Sequence, residues 1–183
     1  MKSDSRKPKQ NKNDLLNFIL EVSTSFINIS PDKLDTAIDS VLKVVGTYAK
    51  VDRSYVFQFY DNGTKISNTH EWCADGIEPQ IQHLQAMNAS DLPFFEKRIK
   101  NLEIFHVPDV NRLPIDAKKE RLHFVEQSIK SLIVVPIISD GLAIGFLGFD
   151  STRRKKVWSE DIIALLKIVA DIFANAIVKN KMM

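Results

Sequence analysis

The side chains best suited to nucleophilic or metal chemistry are one cysteine and four histidines. Cys73 is the single thiol, so neither an internal disulfide nor a cysteine-rich metal site can form. His70, His83, His106 and His123 are lone residues near predicted loops, where histidines are more often solvated than bound to metal. The sequence contains no His-Glu-x-x-His pattern, glycine-rich phosphate loop or kinase motif. We therefore expect a protein that is not an enzyme.

A second group of side chains suits the binding of a planar organic molecule. Aromatic residues recur along the chain, and many of them are expected to serve as core because aromatic rings bury large areas. Those in loop-rich segments are the better candidates for a pocket, with Asp109 as a polar contact. The predicted ligand site consists of Phe57, Trp72, Phe94, Phe95, Phe105, Asp109 and Phe146.

Helices are predicted at both ends of the chain. Apolar residues at helical spacing predict a first helix over 14–29. Ser30 can cap a second helix, Pro31 fits its first turn, and the apolar pattern ends near Ala49. Ser159 begins a last helix that runs to about Lys179, with acidic residues in its first turn.

Strands are predicted between these helices. Alternating residues from Arg53 and a turn at 61–63 predict an antiparallel hairpin, and a second hairpin joins 131–138 to 142–150. Pro136 cannot donate to a sheet, so its strand should bulge or lose a partner there. Two irregular excursions are expected between the hairpins, the second carrying a helix over 115–127 with Leu122 and Val125 on one side. A short strand over 104–107 separates the two excursions.

The order of these elements predicts a mixed α/β fold of the α+β type with three layers. Strands joined by hairpins form a central antiparallel sheet, and the terminal helices cover one face of it. The two irregular helical excursions are then left for the other face. Such an arrangement can enclose a small molecule between the sheet and the excursions.

Charge is concentrated at the amino terminus. The chain has 183 residues and a net charge of +2, but five of its cations lie in the first dozen residues beside a single acid. We expect residues 1–13 to be a flexible basic segment and residues 14–180 to be one domain, slightly acidic and without affinity for nucleic acid. Apolar runs are too short to span a membrane, and one thiol suits a reducing compartment, so a cytoplasmic location is expected.

Three segments carry a resemblance to a known family. Residues 129–137 (IKSLIVVPI), 142–150 (LAIGFLGFD) and 158–162 (WSEDI) are similar to a GAF domain, and the likeness covers about 14–179. Residues 67–77 (SNTHEWCADGI) further resemble GAF modules of bacterial multi-domain sensor histidine kinases and cyclic-dinucleotide signalling proteins. The resemblance implies a sensory domain that binds a small molecule, forms a dimer through its terminal helices and signals to a histidine kinase or another output partner.

The shared motifs do not identify the ligand. Cyclic-nucleotide-binding relatives carry an Asp-Glu pair where this chain has Asp109 and Val110. Bilin-binding relatives bond their pigment through a Cys-His pair where this chain has Leu122 and His123, so a covalent bilin is not expected, nor is haem. GAF-fold reductases of methionine sulfoxide need a second thiol, which the chain lacks.

The terminal helices carry apolar residues beyond those needed to cover the sheet. A stripe on the first helix and another on the last could pair with the same helices of a second chain, or the second helix could cover them within one chain. A dimer is the favoured interpretation, and a domain that only dimerises or docks remains the alternative to a ligand sensor. The predicted interface consists of Leu16, Leu20, Ile27, Leu165, Ile168 and Ile172.

Overall fold

A computed structural model describes residues 7–182 of the chain, with side chains from residue 13 onward. The helices are α1 (Lys7–Ile27), α2 (Pro31–Tyr48), α3 (Pro93–Lys100), α4 (Lys118–Glu126) and α5 (Glu160–Met182). The strands are β1 (Arg53–Tyr60), β2 (Lys65–Cys73), β3 (Met87–Asn88), β4 (Phe105–Val107), β5 (Ser131–Ser139) and β6 (Leu142–Ser151). Short 3₁₀ turns lie in the connections between β2 and α4.

The strands form one six-stranded sheet in the order β3-β2-β1-β6-β5-β4. Every neighbouring pair is antiparallel. Both predicted hairpins are confirmed, and Asp61, Asn62 and Gly63 take positive φ in the first turn, as do Asp140 and Gly141 in the second. The edge strands β3 and β4 have only two and three residues.

The irregularity predicted at Pro136 has a counterpart in the sheet. Pro136 pairs with Phe146, and the register shifts one step later, between Ile137 and Ile138. On its other side β5 pairs with β4 only from Leu132 to Val134, so Pro136 has no ladder to break there. A further bulge at Val56 and Phe57 was not predicted: Val56 pairs with His70 while Phe57 pairs with Asn68, which leaves Thr69 as an extra residue in β2.

Helices α1, α2 and α5 cover one face of the sheet, as expected. Their apolar faces form one core with side chains from the back of the central strands, including Val56, Ile133, Leu147 and Phe149. Leu166 and Phe173 of α5 are fully buried in this core. Full burial of a Leu or Phe side chain contributes roughly 2–3 kcal/mol each, so this layer holds much of the stability of the domain.

The two excursions cover the opposite face. The first excursion, residues 74–104, carries β3 and α3, and the second excursion, residues 108–130, carries α4. Together with the front of the sheet they form a second apolar cluster that includes Phe57, Phe95, Phe124 and Phe146. The three-layer prediction is therefore confirmed.

Some local expectations differ from the structure. Helix α1 begins at Lys7, inside the segment expected to be flexible, while residues 1–6 lie outside the described part of the chain. Ser30 occupies the N-cap position of α2, but its side chain makes no capping hydrogen bond. Leu122 and Val125 share one side of α4, and that side faces solvent, because the buried residues of α4 are Glu120 and Phe124.

No helix between residues 7 and 182 is both long enough and apolar enough to cross a membrane.

Candidate functional site

A small cavity lies between the front of the sheet and both excursions. Its volume is about 40 Å³. Strands β1, β2, β5 and β6 form its floor, the first excursion supplies Leu84, Leu92 and Phe95, and the second supplies His123, Phe124 and Gln127. Since both excursions contribute walls, a molecule in this cavity would contact the sheet and both excursions.

The apolar part of the cavity is aromatic. Phe57 of β1 and Phe146 of β6 stack with ring centroids 4.7 Å apart and nearly parallel planes. Phe95 of α3 meets Phe146 edge-to-face at 5.0 Å, and Tyr55 meets Phe57 in the same way at 5.6 Å. Offset-stacked and edge-to-face pairs are the favourable arrangements of aromatic rings, so this wall is well packed.

The polar end of the cavity is built on a buried ion pair. Asp150 and Arg53 are 2% and 3% exposed, and a guanidinium nitrogen of Arg53 lies 3.5 Å from a carboxylate oxygen of Asp150. The Tyr55 hydroxyl donates a 2.7 Å hydrogen bond to the other oxygen. Burial raises the pKa of Asp150 to about 7, although Arg53 and the Tyr55 hydroxyl act in the opposite direction.

Gly148 makes room for the Tyr55 ring. A Cβ atom at position 148 would lie 2.5 Å from Cε2 of Tyr55, which is closer than real carbon atoms approach. Glycine is therefore required there for Tyr55 to reach Asp150 across the sheet.

Asn68 and Glu71 of β2 complete the polar end. Asn68 is 1% exposed, and neither the oxygen nor the nitrogen of its side chain has a hydrogen-bond partner within the described residues. Glu71 accepts hydrogen bonds from the backbone N–H groups of Gln80 and Ile81, at 2.8 and 3.1 Å. The carboxylate thus ties the first excursion to the cavity, while the amide of Asn68 is left for a further partner.

Three predicted ligand residues line this cavity: Phe57, Phe95 and Phe146. Phe105 is buried in the same front cluster without lining the cavity, and its ring lies 5.2 Å from that of Phe95. Phe94 packs on Phe105 from outside, at 6.2 Å.

The structure does not bring the other two predicted ligand residues to the cavity. The bulge in β2 places Trp72 behind the sheet, where its ring packs so closely on Gly46 of α2 that a Cβ there would lie 2.6 Å away. Asp109 caps the turn after β4 by accepting from the N–H of Asn111, and it lies 2.5 Å from the ammonium of Lys155. That ion pair and hydrogen bond lower the pKa of Asp109 and give it a structural role.

The histidines and the cysteine take separate positions. His123 lines the cavity and contacts Gln127, whereas His70 lies behind the sheet and bonds Asp35 at 3.1 Å. Burial lowers the pKa of His123, although the charges of Glu126 and Glu120 act in the opposite direction. Burial, followed by the charge of Glu71, raises the pKa of Cys73 to about 12. Among the described residues no group of three or more acidic, histidine or cysteine side chains could hold a metal.

Sequence reasoning missed most of the polar end of the site. Tyr55 shares its strand face with Phe57, so the alternation of β1 could have included it. Asn68 and Glu71 could not be assigned, because the unpredicted bulge changes which residues of β2 face the cavity. Asp150 was visible only as the last residue of the GAF-like segment 142–150, and the sequence does not indicate its burial beside Arg53.

Comparison with known proteins decides the family. The sequence model of the GAF domain family matches residues 33–177. The chain belongs to the GAF domain family. GAF domains are regulatory and sensory modules. The chain is 30% identical over 155 residues to the methanogenesis regulatory histidine kinase FilI of Methanothrix harundinacea. That match covers 81% of this chain and 17% of the kinase, so the chain spans less than a fifth of its relative.

Solved structures share the fold of this chain. The chromophore-binding domain of the bacteriophytochrome RpBphP3 from R. palustris superposes with a TM-score of 0.76 at 16% identity, over 99% of this chain and 64% of that one. The phycoerythrobilin-bound GAF domain of a cyanobacterial phytochrome gives 0.74 at 16% identity, over 92% of this chain and 96% of that one. At such identities the likeness describes the fold alone.

The predicted dimer residues of this GAF domain divide into two groups. Leu16, Leu20 and Ile27 of α1 are 56%, 57% and 61% exposed, and Ile168 of α5 is 40% exposed. These four residues are named the helix stripe. Leu165 is buried in the core at 1% exposure, and Ile172 packs partly against that core. Both side chains are therefore less available than Ile168 for contact with a second chain. Helix α2 thus leaves part of the apolar surface of the terminal helices uncovered.

Proposed function

We propose that this GAF domain is a sensory domain that binds a small molecule in the cavity between the sheet and the two excursions. The observation that carries the proposal is the buried side-chain amide of Asn68, which lines an aromatic cavity with both of its polar atoms unpaired. A buried amide without partners costs about 1–3 kcal/mol, and a ligand with a donor or an acceptor would remove that cost. The site would act by binding, not by catalysis.

The proposed signal passes through contacts already formed between the layers. A ligand that favours one position of the excursions shifts the domain by its differential affinity for that position. The floor of the cavity is the sheet that α5 contacts from behind, and α1 packs on α5. A homodimer formed through the helix stripe would carry the change to a histidine kinase or a related output partner, in the cytoplasm.

The volume of the cavity bears on the kind of ligand. One water-sized sphere occupies about 10–15 Å³, so about 40 Å³ admits a compact molecule of a few non-hydrogen atoms. A tetrapyrrole such as the phycoerythrobilin of the cyanobacterial relative would require the excursions to open, and Cys73 does not line the cavity. These observations support a small ligand that is held without a covalent bond. They support neither haem nor a covalently linked bilin.

A domain that only dimerises or docks is the second candidate. The small volume of the cavity and the exposure of the helix stripe favour it. In that case the front layer is simply a second core, and signalling depends on the helices alone.

Native mass spectrometry of the protein purified from its own cells distinguishes the two candidates, because it reports bound mass and subunit number together. The sensor predicts a small bound mass that is lost on denaturation. Thermal unfolding with a panel of metabolites provides the second arm, since a ligand selective for the folded state raises Tm. A dimer with no bound mass and no response to any compound would reject the sensor in favour of docking.

A further inference from the structure

The charges around the cavity suggest which class of molecule it selects. Two carboxylates, Glu71 and Asp150, line it, and none of the lysines and arginines between residues 13 and 182 does so. Above about pH 7 Asp150 is ionised and Arg53 beside it offsets its charge, so the carboxylate of Glu71 remains as the net charge at the polar end. A bound anion would then lie close to this uncompensated carboxylate in a poorly solvated site, where like charges repel strongly.

The apolar walls favour a cation of a particular kind. Five aromatic side chains line the cavity: Tyr55, Phe57, Phe95, Phe124 and Phe146. Aromatic rings attract alkylammonium ions through the negative charge of the ring face, and they also accept the methyl groups that an inorganic cation lacks. A metal ion, by contrast, would need several oxygen ligands at once, and the described residues offer no such group.

Two further observations limit the size and polarity of the ligand. The volume of about 40 Å³ corresponds to roughly three to five non-hydrogen atoms. The oxygen of the Asn68 side chain is an unpaired acceptor at the same cavity, suited to an N–H donor. An N–H of a small ammonium ion could satisfy this oxygen while its charge faces Glu71.

We infer that the cavity selects a small alkylammonium ion, with its charged nitrogen toward Glu71 and Asn68 and its carbon atoms against the aromatic walls. This inference rests on the proposed function and names the ligand class of the same site. It follows from the carboxylate lining, the aromatic rings and the volume taken together. A carboxylic acid or a nucleotide carries negative charge and lacks the positive charge that would pair with Glu71. A neutral alcohol leaves Glu71 without a counter-charge.

Isothermal titration of the full chain with matched small molecules tests the inference. Tert-butylammonium and tert-butanol have the same shape and differ in charge, while propionate supplies an anion of similar size, and methylammonium and trimethylammonium cover the smaller sizes. We expect saturable binding of at least one alkylammonium ion, at least tenfold tighter than binding of tert-butanol, and no binding of propionate. Sodium chloride at equal ionic strength controls for unspecific salt effects.

Variants then locate the bound cation. Glu71→Gln keeps an acceptor for the backbone N–H groups of Gln80 and Ile81 while removing the charge, and it should weaken alkylammonium binding at least tenfold. Glu78→Gln is the matched control, since Glu78 is an exposed carboxylate in the same excursion and should leave binding unchanged. Circular dichroism confirms that both variants are folded.

The outcomes separate the ligand class from the proposed function. Equal binding of tert-butanol and tert-butylammonium, or alkylammonium binding unaffected by Glu71→Gln, overturns the inference. So does the absence of binding by every ammonium ion tested. A neutral or anionic molecule found bound by native mass spectrometry would overturn the cation assignment and leave the sensory function standing.

Discussion

A carboxylate oxygen of Glu120 accepts a 2.8 Å hydrogen bond from the backbone N–H of Phe94. The same oxygen lies 3.2 Å from the N–H of Phe95, so a side chain of α4 caps the first turn of α3. Glu120 is completely buried. Because α3 and α4 belong to different excursions, this cap joins the two halves of the layer that covers the cavity.

Removal of this cap should loosen the front layer. Glu120→Ala leaves two helical N–H groups without their acceptor, so we expect a loss of about 2–3 kcal/mol in the free energy of unfolding, measured with urea. Hydrogen exchange at Phe94 and Phe95 should quicken more than exchange in α5. Glu126→Ala, on the exposed side of α4, is the matched control. Uniform acceleration across the sheet would contradict a local role of the cap.

Replacement of the unpaired amide of Asn68 should lower the affinity for the ligand and raise the stability of the folded domain. Asn68→Leu has nearly the same volume and removes two buried polar atoms that lack partners, so the free energy of unfolding should rise by about 1 kcal/mol. The same variant should retain less of the small bound mass that the sensor proposal expects in native mass spectrometry. Asn101→Leu, at an exposed position, should change neither property. If Asn68→Leu destabilises the domain, the amide has a structural partner and the cavity loses its main support.

The stability of the domain should depend on pH through Asp150. Its pKa is about 7 in the folded chain and near 3.8 when exposed, so the folded state holds a proton that the unfolded state releases between these values. Stability due to this group is complete below about pH 4 and declines as pH rises to about 7. Urea unfolding across that window should therefore show a steeper decline for the wild type than for Asp150→Asn. Parallel profiles would show that Asp150 does not carry the proton.

The groups facing Asp150 determine how large this effect is. Arg53 and the Tyr55 hydroxyl stabilise the ionised carboxylate, while Glu71 disfavours it. Tyr55→Phe removes one hydrogen bond to the carboxylate and should move the decline to higher pH.

Cys73 should react slowly with alkylating reagents. Burial raises the pKa of its thiol to about 12, so at pH 8 the reactive thiolate is far scarcer than in a free cysteine with a pKa near 8.5. We expect Cys73 of the folded protein to react with iodoacetamide at pH 8 at least about a hundredfold more slowly than Cys73 of the urea-unfolded chain. Mass spectrometry follows the alkylation. Equal rates before and after unfolding would refute this assignment.

The helix stripe should control the oligomeric state. Leu20→Glu places a charge in the exposed apolar surface of α1, and we expect it to shift sedimentation from dimer to monomer. Leu142→Glu makes the same change at a residue that is 69% exposed in the second hairpin and should leave the dimer intact. Dissociation by Leu142→Glu and not by Leu20→Glu would place the interface elsewhere.

The layer order was predictable from sequence because it depends on periodicity and turn chemistry. The turns at Asn62-Gly63 and Asp140-Gly141 determine two hairpins, and the apolar spacing of the terminal helices requires a sheet face to cover. The position of Phe57 followed from strand alternation, since Tyr55 and Phe57 join the front cluster while Val56 between them joins the core behind the sheet.

The polar half of the site depends on contacts between distant parts of the chain. The extra residue Thr69 carries Trp72 to the back of the sheet, and no local signal marks that bulge. Glu120 reads as a solvated charge in a Lys-rich helix, yet it is buried because the N-terminus of α3 meets it. Leu165 belongs to an apolar stripe of α5 that packs into the core of its own chain. Periodicity alone does not show whether such a stripe packs within one chain or against a second chain.

The short edge strands affect how readily the sheets of neighbouring molecules can pair. β3 and β4 have only two and three residues, so each outermost strand offers a short edge to a second sheet. Long open edges are where neighbouring proteins join into aggregates. If the proposed homodimer forms through the helix stripe, this sheet should therefore resist intermolecular strand pairing even at the high local concentration of two copies.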